Sequence, residues 1–127
     1  MKVDDPAVLA ELTAAFADYE RALMDNDTET LDRLFWNAPQ TVRYGVGENL
    51  YGFEEIAAFR RARAGGAPRR ALTRTAISTF GEAFGQASTE YVRVGGTAIG
   101  RQTQTWVKFG YDWRFVAAHV SQMADFS

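Results

Sequence analysis

Val8, Leu12, Phe16, Tyr19 and Leu23 recur at steps of four or three, which draws one apolar stripe along a helix. Asp5 before Pro6 supplies an N-cap followed by proline at the first helical position, and the pattern runs to about Asp25. Asp27 can cap a short second helix that presents Leu31, Leu34 and Phe35, with Pro39 as its stop. Residues 41–44 and 48–51 predict two short strands around Gly45-Val46-Gly47. Gly52 then opens a third helix on which Ile56, Phe59, Arg60 and Arg63 share a face. After Pro68 the spacing changes from helical to strand-like. Residues 72–80 are rich in threonine and β-branched residues, and the runs 83–94, 97–109 and 113–122 follow, set off by Gly81, Gly95-Gly96 and Gly110-Tyr111-Asp112. They predict an antiparallel meander of four strands.

Helices first and long strands second define an α+β layer fold, expected as a single domain over residues 1–127. A strongly curved meander wrapped around the N-terminal helices leaves an open end, where a small-molecule pocket would lie. Its other face needs covering, and a homodimer is the expected solution.

Composition narrows the function classes. Lys plus Arg total 14 against 16 Asp plus Glu, a net charge of −2, which argues against nucleic-acid binding. No apolar run approaches a membrane span and no signal-peptide stretch opens the chain, so a cytoplasmic location without a membrane partner is expected. The absence of cysteine excludes disulfides, thiolate nucleophiles and Cys-ligated zinc. One histidine and carboxylates without ligand spacing give no metal motif, and no glycine-rich phosphate loop occurs. No cofactor is expected. Nine Phe, five Tyr and three Trp in so short a chain suggest a ring-lined pocket or a large subunit contact.

Several stretches carry a family resemblance. They are Tyr19-Glu20-Arg21-Ala22-Leu23 with Asn26-Asp27, Leu34-Phe35-Trp36, Thr41-Val42-Arg43-Tyr44-Gly45, residues 100–107 (GRQTQTWV) and residues 113–121 (WRFVAAHVS). The chain resembles the nuclear-transport-factor-2-like superfamily, an open α+β cone. Within it, the chain is similar to the AtzH and HpxZ proteins of cyanuric acid and oxalurate catabolism. The resemblance implies hydrolysis of a small carboxylated urea of the 1,3-dicarboxyurea type, with ammonia release and decarboxylation of the product. It also implies two functional residues, a first-helix tyrosine and a first-strand arginine, which correspond to Tyr19 and Arg43.

The residues themselves allow more than one role. Arg43 lies between Val42 and Tyr44 and faces the side opposite to both. Inside a cavity it would clamp a carboxylate; outside, it would meet water or Glu48. Tyr19 sits on the apolar stripe, so its hydroxyl either serves the core or donates to a developing oxyanion or a leaving nitrogen. Gln102 and Gln104 point the same way within one strand and could read the carbonyl and N–H groups of a urea, with Trp106 as a wall. Arg93, Arg101, Arg60 and Arg63 are candidates for a second cation. His119 is the lone imidazole, and its face depends on the last turn: a three-residue loop pairs it with Thr103, a two-residue loop with Gln102. Glu90, mid-strand, is either a buried base or the partner of an arginine on the next strand.

Three readings follow. The first is a cofactor-free amidohydrolase with Tyr19 and Arg43 catalytic, and with Gln102, Gln104, Trp106, Arg93 and His119 binding a small anionic amide or urea. The second is a non-catalytic ligand-binding or accessory module that partners an amidase. The third, an isomerase or lyase on the same cone, needs a carboxylate at the pocket floor that no residue clearly supplies.

Overall fold

The structure, a computed structural model, describes residues 1–124. Residues 125–127 of the expected domain lie outside the described residues. Helix α1 spans Pro6–Asp25 and is capped as its sequence implies: Asp5 Oδ1 accepts from the backbone N–H groups of Ala7 (3.0 Å) and Val8 (3.4 Å). Asn26, in the left-handed region at φ 52°, closes its other end. Helix α2 is Thr28–Leu34, capped by Asp27. It stops before Phe35, short of the proline expected to end it, because Phe35 turns extended and forms a β-bridge to Phe115. Strands β1 (Val42–Tyr44) and β2 (Asn49–Tyr51) form a short hairpin, and Gly52 at φ 87° starts helix α3 (Phe53–Ala62). Four long strands follow: β3 (Arg70–Phe80), β4 (Phe84–Arg93), β5 (Ile99–Phe109) and β6 (Asp112–Gln122).

The meander is extended by the hairpin into one six-stranded sheet, ordered β2-β1-β6-β5-β4-β3, in which β1 runs parallel to β6. The fold is thus the α+β layer arrangement expected, with the N-terminal helices packed on a curved sheet. Leu12, Phe16 and Tyr19 of α1 bury their stripe against Trp106 and Phe115 of the sheet and Phe35. Phe115 is the hub: its ring lies 3.8 Å from Phe35, 4.9 Å from Trp106 and 5.0 Å from Tyr19, centroid to centroid. Each fully buried ring contributes about 1.5–3 kcal/mol of transfer free energy. Among the described residues no helix is long and apolar enough to cross a membrane.

Two register shifts decide which side chains face the helices. Between β5 and β6, Trp106 pairs with Phe115 but Thr105 pairs with Ala117, so Val116 is an extra residue. Before it the inward residues of β6 are odd-numbered (Trp113, Phe115); after it they are even-numbered (Ala118, Val120). Between β3 and β4, Leu72 pairs with Tyr91 but Arg74 with Glu90, leaving Thr73 extra. Thr75 and Thr79 face inward on one side of that bulge, and Arg70 and Leu72 on the other.

Candidate functional site

A cavity of about 370 Å³ opens at one end of the cone, between α1, α3, the β1–β2 hairpin and the ends of β3, β4 and β5. Five arginines line it (Arg43, Arg60, Arg63, Arg70 and Arg93), and Glu48 is the carboxylate among its lining residues. Tyr19, Leu31, Phe35, Ile56 and Phe59 form apolar wall, and Gln102 and Tyr91 come from the sheet. A volume of this order suits a small ligand.

Each cation is placed by a different device. Arg43 projects from β1 while Tyr44 points to the opposite face, as strand alternation requires. Its Nη1 donates to Glu48 Oε1 at 2.6 Å across the hairpin, and its guanidinium lies 5.5 Å from the Phe59 ring. Arg63 lies over the same ring at 4.8 Å. Arg60 packs over Phe35 at 5.0 Å and holds Asp32 from behind the cavity wall. Arg70 makes a forked pair with Glu20, Nε to Oε1 at 2.8 Å and Nη2 to Oε2 at 2.7 Å, and lies 4.3 Å over the Tyr91 ring.

The electrostatics are those of a site with more cations than carboxylate partners. Burial pulls the Arg63 guanidinium below the usual arginine pKa, and the nearby charge of Arg43 adds to the effect. Burial lowers Arg60 as well, against the opposing pull of Asp32. Arg70 is also penalised by burial, but its bonds to Glu20 outweigh that and raise it. An arginine side chain whose pKa is lowered by burial in this way is still a cation at neutral pH. Arg43, Arg60 and Arg70 have carboxylate partners; Arg63 and Arg93 have none among the described residues.

Two polar groups on residues that line the cavity have no protein partner among the described residues. Arg70 Nη2 donates to Gln102 Oε1 at 3.2 Å. Because arginine only donates, this bond fixes the amide so that Nε2 points elsewhere, and Nε2 is buried without an acceptor. Tyr19 is held edge-on by Phe115 (88°) and Phe35 (72°), and no protein group among the described residues bonds to its hydroxyl.

Tyr91 depends on a close backbone approach. Its ring lies flat over Gly100, where a Cβ would meet ring carbons at 2.2–2.5 Å. Gly100→Ala is therefore expected to destabilise the fold by about 1–3 kcal/mol through overpacking. It would also tilt the platform under Arg70. A urea-denaturation midpoint equal to wild type would contradict this.

Of the residues singled out from sequence, Tyr19, Arg43, Gln102 and Arg93 meet in the cavity, together with Arg60 and Arg63. Three placements need correction. Gln104 and Trp106 are fully buried in the core and do not line the cavity; Trp106 Nε1 donates to Gln104 Oε1 at 3.0 Å. His119 is exposed on the outer face, edge-on to Tyr44 at 5.6 Å, because the Val116 bulge turns it out of the cone. The last turn has two residues, yet the bulge restores the His119–Thr103 pairing expected of a three-residue loop. Arg101 and Glu90 stand opposite each other in the strand register on that outer face as well, and Arg74 is Glu90's register neighbour on the other side. Arg70 and its partner Glu20 were missed. The one available signal was a glutamate beside Tyr19, one turn after Phe16, at the margin of an otherwise apolar stripe. Among the described residues no group of three or more Asp, Glu or His side chains is arranged to hold a metal ion.

Comparison with known proteins agrees with this architecture. No curated protein matches the sequence. Among solved structures, a protein of unknown function from Pectobacterium atrosepticum, of the DUF3225 family, is 58% identical, covering 96% of this chain and 95% of its own, with a TM-score of 0.90. A cystatin-like fold protein from Burkholderia xenovorans is 44% identical over 98% of both chains, with a TM-score of 0.92. An NTF2-like protein of unknown function from Pseudomonas putida, 14% identical at a TM-score of 0.80 over 94% of this chain and 89% of its own, shares the fold alone. The sequence matches the AtzH-like family over residues 1–126, and the chain belongs to that family.

Proposed function

We propose that the chain is an amidohydrolase acting on a small carboxylated urea of the 1,3-dicarboxyurea type, without a cofactor. The observation that carries this reading is the cavity itself, which sets five guanidiniums against three carboxylate partners. The two unmatched cations, Arg63 and Arg93, favour a ligand with two negative charges. Arg43 receives one carboxylate through the N–H groups that Glu48 leaves unused. The Tyr19 hydroxyl and the Gln102 amide N–H are donors without protein acceptors, suited to a urea carbonyl or to the leaving nitrogen. The apolar wall of Phe35, Ile56 and Phe59 keeps these interactions in a low dielectric.

Purified protein is expected to convert 1,3-dicarboxyurea, read as ammonia and inorganic carbon released over time. No release from this or any related carboxylated urea would overturn the reading. The accessory module that partners an amidase would then take its place, tested by co-purification with such an enzyme.

A further inference from the structure

We infer that Glu48 is the general base that activates the hydrolytic water, an assignment that rests on the amidohydrolase reading. Three carboxylates belong to the cavity's ion pairs, and two of them are spent. Both oxygens of Glu20 are bonded to the guanidinium of Arg70. Asp32 holds Arg60 and does not line the cavity. Glu48 does line it, with its side chain 23% exposed, and uses only Oε1 on Arg43. Oε2 has no protein partner among the described residues, so it is an open acceptor beside the residue that clamps the ligand.

The hairpin builds this position. Gly45 N–H donates to the Glu48 carbonyl at 2.9 Å and closes the loop. A Cβ on residue 45 would stand 1.8 Å from Glu48 Oε1 and 3.0 Å from Arg43 Nη1. Glycine at 45 is what lets the carboxylate fold back over its own turn onto Arg43. The arrangement gives one guanidinium two anionic neighbours, the substrate carboxylate and Glu48, and sets a water on Oε2 next to the bound urea.

The step balances without another reactant. Glu48 Oε2 takes a proton from water as the water oxygen bonds to the urea carbonyl carbon. The tetrahedral intermediate collapses, the C–N bond breaks, and its electron pair leaves on nitrogen. That nitrogen takes a proton from protonated Glu48 directly, or from the Tyr19 hydroxyl, whose phenolate then recovers a proton from Glu48 through solvent. Either way both groups are restored and one water has been added across the bond. The carbamates so formed take up protons and lose carbon dioxide, freeing ammonia.

The test compares wild type and Glu48→Gln on 1,3-dicarboxyurea, with malonate binding by calorimetry as a measure of the intact site. Glutamine keeps an oxygen for Arg43 but cannot take the proton. The expected result is a kcat lower by roughly 10²–10⁴-fold, KM within about threefold, and malonate bound at least as tightly as by wild type. A kcat within about threefold of wild type would reduce Glu48 to a counterion and overturn the assignment. Loss of malonate binding together with turnover would make it a positioning group for Arg43 and would overturn the assignment as well. Wild type that binds malonate but turns over no carboxylated urea would remove the amidohydrolase reading, and the base with it.

Discussion

Arg43→Met is expected to lower kcat/KM for a carboxylated urea by at least roughly 10²–10³-fold, the range seen when one charge-stabilising donor is removed from a preorganised site. Arg43 lines the cavity, and Glu48 fixes its orientation through one N–H group at 2.6 Å. Methionine keeps much of the packing on Phe59 but offers no donor. The loss should appear in both KM and kcat, because the clamp binds the ground state and also orients the carbonyl for attack.

A stability effect accompanies it and must be separated. Removing Arg43 leaves Glu48 unpaired in a partly buried position, which costs about 1–3 kcal/mol before allowance for the water that still reaches it. Arg43→Met/Glu48→Gln removes that orphaned charge. The double variant is expected to regain most of the unfolding free energy of wild type while remaining inactive. A folded Arg43→Met with full turnover would sink the carboxylate-clamp scheme. A double variant that recovers activity would show that Arg43 matters only as a structural partner.

The elements of this fold are local and were legible. The α1 stripe, its Asp5-Pro6 start, the glycine opening α3 and the four-strand meander each rest on spacing within a short window. The site is less legible because two single-residue insertions set its faces. Period-two alternation along β6 would send Phe115, Ala117 and His119 the same way, and the Val116 bulge breaks that sequence and turns His119 out. Without the Thr73 bulge, the phase set by Thr75 and Thr79 would point Arg70 away from the cavity. One bulge thus removes an expected binding residue and the other supplies a residue no spacing indicated. The partners of the cations are also invisible in one sequence: Glu20 and Arg70 are 50 positions apart, and β1 joins β6 by a parallel pairing with no local signature. Tyr19 and Arg43, by contrast, could be singled out by family resemblance and then placed by elementary periodicity.

Tyr19→Phe is expected to separate chemistry from stability more cleanly than any other change at this site. The ring is held by Phe35 and Phe115, and phenylalanine keeps both contacts. The hydroxyl has no hydrogen-bond partner in the protein among the described residues, so removing it breaks no internal bond. The unfolding free energy should therefore stay within about 0.5 kcal/mol of wild type. Turnover should behave oppositely. If the hydroxyl donates to the developing oxyanion or to the leaving nitrogen, its loss lowers kcat by roughly 10²–10³-fold with a smaller change in KM, since the interaction strengthens toward the transition state. Equal unfolding midpoints with a large fall in kcat would support that role. A variant with wild-type kcat would reduce Tyr19 to a wall of the cavity and leave Arg70-anchored Gln102, whose Nε2 is the other unpartnered donor there, as the group facing the carbonyl. A Tyr19→Phe protein that loses stability by more than about 2 kcal/mol would mean that the hydroxyl is bonded within the folded protein, contrary to the geometry described for it.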